Sequence, residues 1–119
     1  MYEVMICTAG GKALKCFDLA RAEQSRSRII VGRAEDCDIR IASSAMSRHH
    51  CAIEPDVDGG GWIIRDLGST LGVEMEGVKI EQTGIRDGLE VRLGPAVLKF
   101  QAAARRVAAE IAREMGGAQ

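Results

Sequence analysis

Aromatic residues make up only 3% of this 119-residue chain: one Trp, one Tyr and two Phe. The core must therefore come from Ile, Val, Leu, Met and Ala, which the 46% hydrophobic content supplies. Excess charge of either sign is also missing, since 16 Lys and Arg against 17 Asp and Glu leave a formal net charge of -1. That balance gives no support for a general nucleic-acid binder or a polybasic membrane binder, so charge-based recognition has to be local. No apolar run approaches the roughly 20 residues that span a bilayer. Met1-Tyr2-Glu3-Val4 has neither the basic region nor the long apolar stretch of a secretory signal, and a cytoplasmic location is the expectation. Cys7, Cys16, Cys37 and Cys51 form no Cys-x-x-Cys pair. Buried free thiols are expected rather than a metal site, and no cofactor is implied.

What is present is a series of short β-type runs. Val4-Met5-Ile6-Cys7 and the stretch from Leu14 to Asp18 flank Gly10-Gly11 and read as a hairpin. Residues 20–27 are polar, a loop or a brief helical turn. Strands follow at Ile29–Val31, Asp38–Ile41, Cys51–Glu54, Trp62–Arg65, Val73–Glu76, Val78–Ile80, Leu89–Leu93 and Val97–Phe100, with turn residues between them. Many short strands at near-regular spacing, with no βαβ rhythm and no internal repeat, predict an all-β fold of two antiparallel sheets packed as a sandwich. After residue 101 the pattern changes. Val107, Ile111 and Met115 recur at helical spacing in an alanine-rich run that Gly116-Gly117 would stop, predicting a short C-terminal helix over 102–115 within a 102–119 tail. The duller reading of that helix is a stripe packed on the sandwich; the alternative is a small interaction surface.

Three loops carry the chemistry. Gly32-Arg33 closes a strand, Ser47-Arg48-His49-His50 opens the next, and Asp66-Leu67-Gly68-Ser69-Thr70-Leu71-Gly72 connects two more. Each alone is weak: an exposed arginine, a solvated charge, a β-turn with ordinary polar residues. Together they offer converging donors. Arg33 has a fixed fork of N–H groups suited to a phosphate dianion, Ser47 and Thr70 have hydroxyls, and Arg48 and Ser69 stand beside them. A phosphate presents three strong acceptor oxygens and needs such a set.

In this order, with strands between them, the loops resemble the forkhead-associated (FHA) domain, whose pattern is Gly-Arg, then Ser-x-x-His, then Asp-x-x-Ser-Thr-Asn-Gly. Cys37-Asp38-Ile39-Arg40-Ile41, Trp62-Ile63-Ile64-Arg65-Asp66 and Asp87 to Gly94 extend the likeness, which runs from about Val4 to Phe100. The resemblance implies a phosphothreonine-dependent protein-interaction module occupying 1–101, followed by the 102–119 tail. It implies that Arg33, Ser47, Arg48, Ser69, Thr70 and Leu71 form the phosphopeptide-binding set. Gly32, His50, Asp66, Gly68 and Gly72 would support the loops, His50 as a structural brace. His49 is expected to have no chemistry, and Arg40, Arg65 and Arg92 to lie on solvated strand faces. The implied partner is a phosphothreonine-containing protein or peptide, a Ser/Thr kinase or its substrate among the candidates. Charge-assisted hydrogen bonds of about 1.5–3 kcal/mol each would support a roughly micromolar complex.

The chain departs from the family at one informative place. Leu71 stands where Asn usually precedes the glycine, and Val73 where Thr usually follows it. An asparagine amide both donates to and accepts from a ligand backbone; leucine does neither. A competing reading is therefore a degenerate FHA domain that scaffolds proteins without phosphate, using Leu71 as an apolar anchor. Catalysis is not expected. Ser47, His50 and Asp66 supply the residue types of a hydrolytic triad, but Met46-Ser47-Arg48 lacks the Gly-x-Ser-x-Gly frame of a nucleophile elbow.

Overall fold

The computed structural model describes residues 2–20 and 28–102. Eleven strands run in order: β1 (Tyr2–Thr8), β2 (Ala13–Asp18), β3 (Ile29–Gly32), β4 (Ile39–Arg40), β5 (Cys51–Pro55), β6 (Trp62–Asp66), β7 (Val73–Met75), β8 (Val78–Ile80), β9 (Gln82–Gly84), β10 (Glu90–Leu93) and β11 (Ala96–Ala102). They form a six-stranded sheet ordered β2-β1-β11-β10-β7-β8 and a five-stranded sheet ordered β4-β3-β5-β6-β9. The expected all-β sandwich is therefore present. Every pairing is antiparallel except that of β3 with β4, where Val31 lies beside Ile39 in parallel register. The expected C-terminal helix and the polar stretch over 21–27 lie outside the described residues, apart from Ala102, which closes β11.

Alternation writes the core. In β11, Ala96, Leu98 and Phe100 are buried while the residues between them are partly exposed, and across the pairing Phe100 meets Val4 and Leu98 meets Ile6. The second sheet answers with Val31, Cys51, Ile53 and Ile64, all fully buried. Each buried aliphatic or aromatic side chain contributes about 1.5–3 kcal/mol of transfer free energy, so a core with a single Phe at its centre is sufficient.

Two strands differ from expectation. β4 is only two residues long: the Ile41 N–H donates the last bond of its parallel ladder to the Gly32 carbonyl, and the chain then turns, with Ser43 N–H donating to the Ile41 carbonyl. β9, Gln-Thr-Gly, carries no apolar signal at all; a single residue, Glu81, links it to β8 and carries the chain from one sheet to the other. Glu81 also accepts the Asp66 N–H, which anchors the crossing beside the start of the 67–72 loop. The β3–β4 loop, the β4–β5 loop, the β6–β7 loop and the β10–β11 turn then meet at one end of the sandwich.

Candidate functional site

Backbone hydrogen bonds first lash the β3–β4 loop to the β4–β5 loop. Arg33 N–H donates to the Ser47 carbonyl at 3.0 Å, Ala34 N–H to the Arg48 carbonyl at 3.1 Å, and His50 N–H to the Val31 carbonyl at 2.8 Å. Gly32 makes this approach possible: a β-carbon there would sit 2.2 Å from the Arg48 carbonyl oxygen. Only a residue without a side chain fits.

His50 joins these loops to the third. Its ring is fully buried, Nδ1 lies 3.3 Å from Ser47 N, and Nε2 lies 2.8 Å from the Gly72 carbonyl oxygen. A peptide N–H can only donate and a carbonyl can only accept, so Nδ1 is the acceptor and Nε2 carries the hydrogen. The ring is thus a brace between two loops, and its carbonyl also accepts the Leu67 N–H. The β6–β7 loop adds its own frame. Asp66 Oδ1 accepts Ser69 N–H at 3.2 Å and Ser69 Oγ–H at 2.6 Å, and Ser69 Oγ in turn accepts Gly72 N–H at 2.8 Å. Gly68 and Gly72 have φ of 77° and 78°, the left-handed region that favours glycine.

These engagements sort the predicted ligand contacts. Arg33 is exposed; its Nε donates to the Met46 carbonyl at 3.2 Å, which aims the side chain while leaving the terminal N–H groups outward. Arg48 is exposed as well, and among the described residues neither arginine joins an ion pair. Ser47 Oγ accepts the Thr70 N–H at 3.0 Å, so its own hydroxyl hydrogen can point outward. Thr70 is exposed beside it. Ser69 is different: its hydroxyl both donates and accepts inside its own loop, an arrangement that holds the loop rather than a ligand. Leu71 is 36% exposed but does not stand free, because its Cδ1 packs on Gly94, where a β-carbon would come within 2.4 Å of it. Arg33, Ser47, Arg48, Thr70 and Leu71 line one open groove of about 720 Å3.

His49, expected to be without chemistry, faces Asp36: Nε2 lies 3.0 and 3.1 Å from the two carboxylate oxygens. That hydrogen bond holds the Asp36 carboxyl below its ordinary range against the opposing effect of burial, and the charges of His49 and Arg48 add lesser help. The nearby Cys37 thiol is pushed up, mainly by burial, and donates to the Arg48 carbonyl at 3.1 Å. The three arginines assigned to solvated faces each have a fixed partner. Arg65 grips Glu54 through two bonds of 2.7 and 3.2 Å, Arg40 Nε donates to the Arg33 carbonyl, and Arg92 Nε to the Gly94 carbonyl. All four cysteines are free thiols, and Cys16 is exposed rather than buried. The sequence signal that could have located these partners is modest: Glu54 and Arg65 occupy neighbouring positions on paired strands of opposite charge.

The FHA domain family model matches residues 29–94, more than half of the chain. The protein FhaB of Mycolicibacterium smegmatis is 28% identical over 74 residues, covering 61% of this chain and 46% of that protein. The curated relatives are longer, and the chain spans from 10% to 52% of the first ones it matches. The FHA domain of the CT664 protein from Chlamydia trachomatis superimposes with a TM-score of 0.66 at 26% identity, covering 85% of this chain and 96% of that one. Mycobacterium tuberculosis EmbR, solved in complex with a low-affinity phosphopeptide, superimposes with a TM-score of 0.60 at 25% identity, covering 83% of this chain and 24% of EmbR.

Proposed function

The chain belongs to the FHA domain family, and we propose accordingly that it is a non-catalytic module that binds phosphothreonine-bearing protein segments through the loops at one end of its sandwich. The observation that carries this reading is the pair of exposed guanidinium groups, Arg33 and Arg48, which join no ion pair among the described residues, beside the Ser47 hydroxyl and the exposed Thr70. Such a set presents charged and neutral donors to one groove and suits a phosphate dianion. Arg33 supplies the anchored fork, Ser47 and Thr70 complete the oxygen contacts, and His50, Asp66 and Ser69 hold the loops in register. A Ser/Thr kinase or a kinase substrate would provide such a segment, and a cytoplasmic location suits both.

A second reading rests on Leu71. Packed on Gly94 at the groove's edge, it offers an apolar seat where the family's amide would hold the ligand backbone. A module that bound only through this seat would ignore phosphate. Titration of an oriented phosphothreonine peptide library and its unphosphorylated twin separates the two. Phosphate-dependent binding supports the first reading, and equal binding of both libraries supports the second.

A further inference from the structure

Beside the phosphate groove, Asp36, Cys37 and His49 each turn a metal-ligating atom toward the others. One carboxylate oxygen, the Cys37 sulfur and one ring nitrogen of His49 all lie within 4.8 Å of one another, the one such grouping of His, Cys and acidic residues among the described residues. We propose that this trio is a binding site for a zinc-class divalent cation, held by three protein ligands with a fourth position open to water.

The donor set selects the class. Thiolate and imidazole favour borderline-soft ions, whereas calcium and magnesium prefer all-oxygen shells. Zinc takes sulfur at about 2.3 Å and nitrogen or oxygen at about 2.0–2.2 Å in a tetrahedron, which places ligand atoms roughly 3.3–3.8 Å apart. The trio is already near that size, and two of its members can close the remainder because Asp36 and His49 are exposed. Their carboxylate–imidazole contact is itself surface-exposed, at 72% of the Asp36 side chain and 50% of that of His49, so exchanging it for bonds to an ion costs little.

The third member is fixed by the backbone. Cys37 N–H closes a turn onto the Ala34 carbonyl, and Ala34 N–H donates to the Arg48 carbonyl one residue before His49. The same strapping that sets Arg33 and Ser47 therefore sets the thiol opposite the imidazole. To bind an ion, Cys37 must lose the hydrogen it donates to the Arg48 carbonyl. That carbonyl keeps a partner, because Ala34 N–H also donates to it at 3.1 Å. Nothing buried is left unsatisfied by the exchange. The spacing conceals the site from motif reading: Asp36 and Cys37 are adjacent, and His49 enters from the next loop.

Cobalt(II) titration of the full chain, purified without a polyhistidine tag, tests the proposal. Cys16→Ser serves as the background, because Cys16 is the exposed thiol elsewhere on the molecule. The expected result is a sulfur-to-cobalt charge-transfer band with tetrahedral visible bands, saturating at one equivalent and erased by zinc. Cys37→Ser should abolish the charge-transfer band, and His49→Ala and Asp36→Ala, both at exposed positions, should each weaken binding by more than about tenfold with the circular-dichroism spectrum unchanged. No charge-transfer band, or one that survives Cys37→Ser, overturns the proposal. So does a band whose affinity is the same in His49→Ala and Asp36→Ala as in the background.

Discussion

On one side of the groove, built from the loops that hold Arg33, Ser47 and Arg48, backbone bonds strap the two loops together, and the Arg33 Nε and Ser47 Oγ are held by main-chain partners while the Arg33 and Arg48 side chains stay exposed. On the other side, built from the β6–β7 loop and the β10–β11 turn, Asp66 and Ser69 are engaged within their own loop, and the exposed surface is Thr70 and the Leu71 side chain resting on Gly94. The first side is prepared for an anion. The second is prepared for an apolar contact, since the position where the family places an amide has no donor or acceptor to offer. The two arginines stand on one side and Leu71 on the other, with Thr70 N–H bonded to Ser47 Oγ across the groove between them, so substitutions can address the charged side and the apolar side separately.

His50 is where the two sides meet, so its loss should have the largest effect. His50→Ala removes the acceptor for Ser47 N–H and the donor for the Gly72 carbonyl, both beside a fully buried ring. Each unsatisfied buried group costs about 1–3 kcal/mol, and a total near 2–4 kcal/mol is expected in denaturant unfolding, with phosphopeptide binding lost as the loops separate. Gly32→Ala should strike the anion side alone. Its new β-carbon meets the Arg48 carbonyl oxygen, forcing the two arginine loops apart at a cost of about 1–3 kcal/mol.

Leu71→Asn acts on the other side and in the opposite direction. It places there a group that can donate to and accept from a ligand backbone, and phosphopeptide affinity should rise about tenfold, roughly 1.4 kcal/mol, in a calorimetric titration. Unchanged affinity would mean that this side takes no part in holding the peptide. The smallest effect is a control far from both sides. Arg65 holds the Glu54 carboxyl below its ordinary 4.5 chiefly by hydrogen bonding, with its charge and that of Arg28 adding to the effect against partial burial. A lowered native value means the pair stabilises the fold above about pH 4.5 and loses that contribution as pH falls through the depressed value. Glu54→Gln should therefore lower the thermal midpoint slightly at pH 7, and the difference from wild type should vanish in acid, while binding is untouched.

The sandwich and its loops were legible in the sequence because strand alternation and turn residues are local signals. Val4, Ile6, Leu98 and Phe100 announce a buried face by spacing alone. β9 was not legible: Gln82-Thr83-Gly84 has no apolar face, and its place is set by pairing with β6. The same divide runs through the site. Arg33, Ser47 and Thr70 could be picked out as donors from residue type, but which hydroxyls remain outward depends on contacts between loops. Ser69 and Ser47 look alike in sequence; one is consumed by Asp66 and Gly72, the other is aligned by Thr70 N–H. Likewise the Asp36–His49 contact joins residues from separate loops, with no local pattern to mark it.

The most direct test is calorimetric titration of one library-selected phosphothreonine peptide against wild type and Arg33→Ala. Removing one partner of a desolvated charge pair costs about 2–5 kcal/mol, so affinity should fall by at least about 30-fold while the thermal midpoint stays near that of wild type. Equal affinity in the two proteins would contradict the account, because the anion would then be held by something other than the fork that Met46 aims into the groove.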